Sequence, residues 1–154
     1  MEELARGEPA EVVRENARRK ALAVPSPLTL GADTVVAVDG RILAKPAGAA
    51  QAREWLGLLS GRTHQVHGGV CVLEDRVARD ATAVTDVTFR RLDEADIDRY
   101  LATGEWCGRA GGYAIQGRGA ALVRSLVGDY LNVVGLPVVA LIDLLPSLLD
   151  GQSL

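Results

Sequence analysis

The strongest constraint on the fold of this chain is a pair of long segments, THQVHGGVCVLED and VARDATAVTDVTFRR, lying between Thr63 and Arg91. In the second, Ala83, Thr85, Val87 and Phe89 alternate with Val84, Asp86 and Thr88. A period of two belongs to extended strands, whose successive side chains point to opposite faces. The two segments therefore predict a long antiparallel pair. Upstream, LTLGADTVVAVDG is a β-branched run closed by Asp39-Gly40, a dipeptide that favours a tight hairpin turn, and RILA is a short apolar return.

Helical signals surround these strands. Residues 9–23 begin at Pro9, carry Val12, Val13, Ala17 and Ala21 at helical spacing, and stop before Pro25 and Pro27. Residues 47–59 place Ala49, Ala52, Leu56 and Leu59 on one face, with Gly61 as a C-terminal stop. Asp93 is positioned to cap a third helix that carries Ile97, Tyr100 and Leu101 and ends at Gly104. A glycine-rich stretch, GRAGGYAIQGRGA, leads to the strand-like run ALVRSLVGDY, and LPVVALIDLLPSLL reads as an apolar helix between Pro137 and Pro146. Helices and strands are mixed without a repeating βαβα order, which points to an α/β fold with a mixed sheet in a single domain over residues 1–154.

At 154 residues the chain can bury roughly two thirds of its unfolded surface and needs no disulfide or metal staple. With 48% hydrophobic and 24% charged residues, disorder and disulfide scaffolds are excluded. The formal net charge of −3, with no basic block beyond Arg18-Arg19-Lys20, argues against binding to nucleic acid or an anionic membrane. Cys71 and Cys107 form no C-x-x-C pair and read as reduced, buried thiols of a cytoplasmic protein. No apolar segment is long enough to serve as a signal peptide or a membrane span.

Phosphate motifs of the GxxxxGK[ST] and GxGxxG types are absent, which excludes a P-loop or Rossmann enzyme. His64 and His67 have the look of a metal pair, but three residues apart on a strand they point to opposite faces. Asp33 stands before a Val-rich strand, where a carboxylate gains from burial only with a partner or a cation; a turn or cap role is the alternative. Its neighbour Thr34 would by itself be an ordinary strand residue. Lys45 is one of only two lysines against 15 arginines and lies in a segment stiffened by Pro46, so it is either a phosphate-binding ammonium or a solvated side chain. Gln116 is either a loop glutamine or an amide that reads a base edge.

Taken together, the segments GADTVVAVDGRILAKP, LSGRTHQVHGGV, ATGEW, AGGYAIQGRGA and GDYLNVVGLP resemble, in order and spacing, the signature blocks of the Maf-type nucleoside triphosphate pyrophosphatases, from about Glu2 to about Leu149. The resemblance implies an elongated α/β fold similar to inosine triphosphate pyrophosphatases, with a cleft between two lobes. It also implies a house-cleaning hydrolase of the cytoplasm, dependent on Mg²⁺ or Mn²⁺, commonly a homodimer, that releases pyrophosphate from a nucleotide.

Carried over to this chain, Asp33 matches the family's general base and a metal ligand, and Lys45 of A-K-P matches a triphosphate-binding lysine, with Ala44 in place of the usual glycine. Thr34 and Gln116 match positions that mark the branch acting on dTTP and UTP. Glu2 matches the glutamate of a V-D-E block that helps hold the metal, with Met1 where the aspartate would be. The S-A-S-P-R-R segment at the front of the family pattern has no counterpart here, which leaves a start codon placed too late, a shortened chain or a natural short form as explanations. Two functions follow as expectations: a pyrophosphatase for dTTP- or UTP-like nucleotides, or a catalytically silent nucleotide-binding protein that has lost the phosphate-binding loop. With the front strand missing, the sheet is also expected to carry an unpaired edge.

Overall fold

The computed structural model describes residues 3–150. Strands β1 (Leu28–Val38), β2 (Arg41–Leu43), β3 (Thr63–Glu74), β4 (Val77–Phe89) and β5 (Val123–Val127) form one open sheet in the order β2-β1-β3-β4-β5. Among the described residues all four pairings are antiparallel, so the α/β class is as expected but the sheet there is not mixed in direction. Two tight turns account for much of this. Asp39 and Gly40 (φ 50° and 73°) close the β1–β2 hairpin, and Asp75 and Arg76 (φ 46° and 69°) close β3–β4. Paired left-handed residues give a two-residue turn whose twist matches the flanking strands.

Among the described residues five helices flank the sheet: α1 (Pro9–Leu22), α2 (Ala49–Leu59), α3 (Glu94–Ala102), α4 (Tyr130–Val134) and α5 (Val138–Leu144). On one face α1 buries Val12, Val13, Ala17 and Ala21 against Val35, Cys71 and Leu73. The approach is unusually close because Gly31 and Gly69 present no side chain. A Cβ at Gly31 would lie 1.9 Å from the Ala17 carbonyl oxygen, and one at Gly69 would lie 2.4 Å from that of Val13.

The larger core lies on the other face. Val36, Val38, Val66, Val87 and Phe89 of the sheet pack against Trp55, Leu56 and Leu59 of α2, Ile97 and Tyr100 of α3, and Tyr113 and Ile115. Burying a Leu- or Phe-sized side chain here contributes about 1.5–3 kcal/mol. A capping box between Asp93 and Asp96 starts α3, as the position of Asp93 predicted.

The C-terminal third departs from expectation. The run read as one strand over 121–130 is extended only at Val123–Val127, and Tyr130–Val134 forms α4 instead. The Asp129 carboxylate accepts a hydrogen bond from the Leu131 N–H at 2.8 Å and starts that helix; Gly135 stops it at φ 137°. The predicted apolar helix over 136–149 is α5 followed by a 3₁₀ turn at Pro146–Leu149, because Pro146 lacks the N–H needed to continue. Cys71 is buried as expected, whereas Cys107 is exposed.

Candidate functional site

The site begins at an uncovered stretch of β1. Strand β2 pairs only with Val36–Val38, so among the described residues Leu28–Val35 has a strand on one side only, β3. Asp33 and Thr34 lie on this free edge, and strand alternation sends one side chain to each face of the sheet.

Asp33 turns toward α1. Asn16 and Lys20, four residues apart and therefore on one helix face, both reach it. The Asn16 amide donates to Asp33 Oδ2 at 2.9 Å, and the Lys20 ammonium donates to Oδ1 at 2.6 Å. Asn16 also accepts from the Leu4 N–H at 2.8 Å and donates to the Leu4 carbonyl at 3.0 Å, which fixes the segment before α1. That segment brings the Glu3 carboxylate to 2.9 Å from Lys20 and 3.7 Å from Lys45.

Two ammonium groups and two carboxylates thus form one charge-balanced cluster. The Lys20 hydrogen bond holds Glu3 below the usual glutamate range against a smaller opposing effect of burial. At Lys20 itself burial is the largest single influence and works against the charge, yet the bonds to Asp33 and Glu3 together raise its pKa. Asp33 is 8% exposed and lines the cavity beside it.

Thr34 turns to the opposite face, where its hydroxyl lies 3.5 Å from the Gly135 carbonyl oxygen at the end of α4. Both residues line a cavity of about 380 Å³, within the range of small-ligand sites. Lys20, Asp33 and Lys45 line the same cavity, and its far wall is the segment from Glu105 to Gly117. Glu105 shapes that wall. Its carboxylate oxygens accept the Arg118 N–H at 2.8 and 3.0 Å, close against Gly117 (φ 65°), and so set the loop that carries Gln116.

Beneath the wall, Tyr113 and the fully buried His64 share a hydrogen bond of 2.7 Å, with Phe89 edge-on to both rings. Burial pushes the His64 pKa down to about 4, with Asp86 opposing. His67 is half-buried on the other face, so the two histidines form no metal pair, as strand geometry predicted.

Asp33, Thr34, Lys45 and Gln116, singled out from sequence, converge on this one cavity. Glu2 lies outside the described residues. Sequence reasoning missed Asn16, Lys20, Glu3, Glu105 and Arg109, of which Lys20, Glu105 and Arg109 line the cavity. One signal for Lys20 was present, since it is the only lysine besides Lys45. A larger, more open groove of about 690 Å³, lined by Arg91, Arg124 and Glu94 among others, includes none of these residues.

The pattern of the Maf-like protein family matches residues 1–148. A dTTP/UTP pyrophosphatase of Bacillus cytotoxicus is 45% identical over 149 residues, covering 94% of this chain and 78% of its own. One from Sphingopyxis alaskensis is 52% identical over 134 residues, 84% of this chain and 70% of its own. The similarity extends to an archaeal relative of the same name, from Pyrococcus furiosus, 43% identical over 142 residues, 90% of this chain and 75% of its own. By family pattern and by these relatives, the chain belongs to the Maf-like proteins.

Proposed function

We propose that this chain is a nucleoside triphosphate pyrophosphatase that hydrolyses dTTP- or UTP-like nucleotides to the monophosphate and pyrophosphate. The names of its relatives support the reaction. The observation that carries the reading is the Asp33 carboxylate at a cavity edge, gripped by Lys20 and Asn16, with Lys45 close by and Thr34 on the next residue of the same strand.

Release of pyrophosphate requires water to add to the α-phosphorus while the bond from that phosphorus to the bridging oxygen of the β-phosphate breaks. Asp33 is the general base that takes a proton from the water. Lys20 and Lys45 supply positive charge where the triphosphate develops negative charge, and they carry the electrostatic part of the work. The Lys20 ammonium also orients the Asp33 carboxylate through its bond to Oδ1. Thr34 and Gln116 face the base.

A divalent cation fits this donor set in one way. Among the described residues no three carboxylate, histidine or cysteine side chains converge, so protein ligands alone do not complete a shell. Asp33 and the glutamate end of the chain would supply one or two oxygens and the triphosphate the others, the usual arrangement for Mg²⁺. The sequence pattern gives the glutamate role to Glu2; Glu3 is the neighbouring carboxylate that lies at Lys20. A cation held there would supply charge neutralisation at the phosphates and help orient the attacked group.

The test is pyrophosphate release by the 154-residue chain from dTTP, UTP, CTP and methylated GTP, with Mg²⁺ and with Mn²⁺. Turnover of dTTP and UTP is expected. Asp33→Asn is expected to lower kcat by about 10²–10⁴ with little change in melting temperature, since Lys20 keeps Glu3. Near-normal turnover by that variant refutes Asp33 as the base. Nucleotide binding without turnover by the unaltered chain refutes the hydrolase reading.

A further inference from the structure

The base end of the cavity is built on a buried asparagine. Asn132 of α4 is 0% exposed. Its amide nitrogen donates to the Val66 carbonyl at 3.0 Å and to the Thr85 hydroxyl at 3.1 Å, and Thr85 in turn donates to the Asp129 carbonyl at 2.8 Å. Among the described residues Asn132 Oδ1 has no hydrogen-bond partner. It rests over Gly68, where a Cβ would lie 1.8 Å away. Gly68 is therefore a socket, and α4 is keyed into the sheet by one side chain.

Three residues later the chain turns at Gly135. The N–H groups of Gly135 and Leu136 both bond to the Leu131 carbonyl at 3.1 Å, and the Gly135 carbonyl is turned toward Thr34 at the cavity. At 3.5 Å the Thr34 hydroxyl is at the outer limit of bonding, so this oxygen keeps acceptor capacity for a ligand.

An acceptor fixed in the backbone selects among pyrimidines. Uracil and thymine carry a proton on N3; cytosine has a lone pair there. Gln116 can offer either end of its amide by rotating about its last bond, so it does not by itself refuse cytosine. A carbonyl has no donor end. Resting on the hydrolase reading above, we propose that Asn132 is a positioning residue that holds the Gly135 carbonyl as the acceptor for the N3–H of a uracil or thymine ring.

The experiment compares kcat/KM for UTP, CTP and N3-methyl-UTP in the unaltered chain and in Asn132→Ala, Gly68→Ala and Thr85→Ser. The unaltered chain is expected to favour UTP over both others by at least about 10², since a site built to bond a ligand group discriminates strongly against ligands lacking it. Gly68→Ala keeps Asn132 but fills its socket, and it should act like Asn132→Ala. Both should shrink the UTP/CTP ratio at least tenfold, mainly by raising KM for UTP. Thr85→Ser keeps the hydroxyl and should preserve the ratio.

Equal losses for UTP and CTP in both variants would reduce Asn132 to a structural role and overturn the proposal. Unimpaired use of N3-methyl-UTP would also overturn it. If Asn132→Ala fails to fold, Gly68→Ala and the methylated nucleotide decide. If the unaltered chain turns over no nucleotide, the hydrolase reading fails, and the same ratios are read from equilibrium binding.

Discussion

Gly31→Ala tests whether the site depends on how closely α1 lies on β1. The added Cβ would meet the Ala17 carbonyl oxygen at 1.9 Å and the Ala21 nitrogen at 2.7 Å, where ordinary contact begins at 3.4 Å. The shortfall, about 1.5 Å, falls on helix backbone, so no rotamer change relieves it. The helix must lift or the strand must bend. Overpacking of this kind costs typically 1–3 kcal/mol and occasionally more, and a clash against backbone belongs at the upper end. At about 3 kcal/mol, a chain of this size should lose roughly 6–12 °C in melting temperature. The same displacement carries Asn16 and Lys20 away from Asp33, and a misplacement of about 1 Å can cost about 10² in rate. Thermal unfolding followed by circular dichroism and kcat/KM for UTP measured well below the transition are the two assays. A melting temperature within a degree of the unaltered protein, together with full activity, would refute the claim that this close approach assembles the site.

A second prediction concerns acid stability. The His64 pKa is lowered from 6.5 to about 4 by burial, so the unfolded chain takes up the proton first. Stability should therefore fall as pH drops from about 6.5 to about 4 and level off below, by about 3 kcal/mol in all. Denaturant titrations between pH 6.5 and 5, above most carboxylate titration, should show this slope; His64→Gln should remove the larger part and leave a smaller one from His67, which burial also lowers, and an unchanged slope would mean that His64 is not its source. Gly57 sits in the last turn of α2 with nothing within 4 Å of an added Cβ. Gly57→Ala should stabilise the protein by about 0.5–1 kcal/mol without altering kcat, and a loss of stability would show that the position is less open than it looks.

Much of the fold was legible because its signals are local. The alternation of Ala83 to Phe89, the Asp39-Gly40 turn and the Asp93 cap each act within a few residues, and each appears as expected. The antiparallel direction of β3–β4 and of the β1–β2 hairpin was legible from their short turns; that of β1 against β3 and of β5 against β4 was not, since it depends on which segments pair rather than on what each segment is. The helix α4 was missed because a five-residue element offers too little periodicity, and tertiary anchoring by Asn132 holds it in place. For the site, Asp33 and Lys45 drew attention as charges in apolar or rigid settings. Lys20 sat in a run of basic residues that reads as a solvated helix face, and only the close seat of α1 over Gly31 and Gly69 reveals that this face meets Asp33.

The adjacency of Asp33 and Thr34 ties the two ends of the cavity together. Because the pleat sends neighbours to opposite faces, Asp33 meets α1 with its cations, and Thr34 meets α4 with its open carbonyl. The next strand repeats the division: opposite them, Gly69 admits α1 on the first face and Gly68 admits Asn132 on the second. On the proposed function, the register of a single strand pair would thus set both the chemistry and the base selection. A slip of one residue would exchange the faces and put a threonine beside Lys20 and a carboxylate beside the Gly135 carbonyl. The long β1–β3 pairing, from Leu28 opposite Glu74 to Ala37 opposite Gln65, guards against such a slip. That is a physical reason for so long a strand pair beneath so small a site.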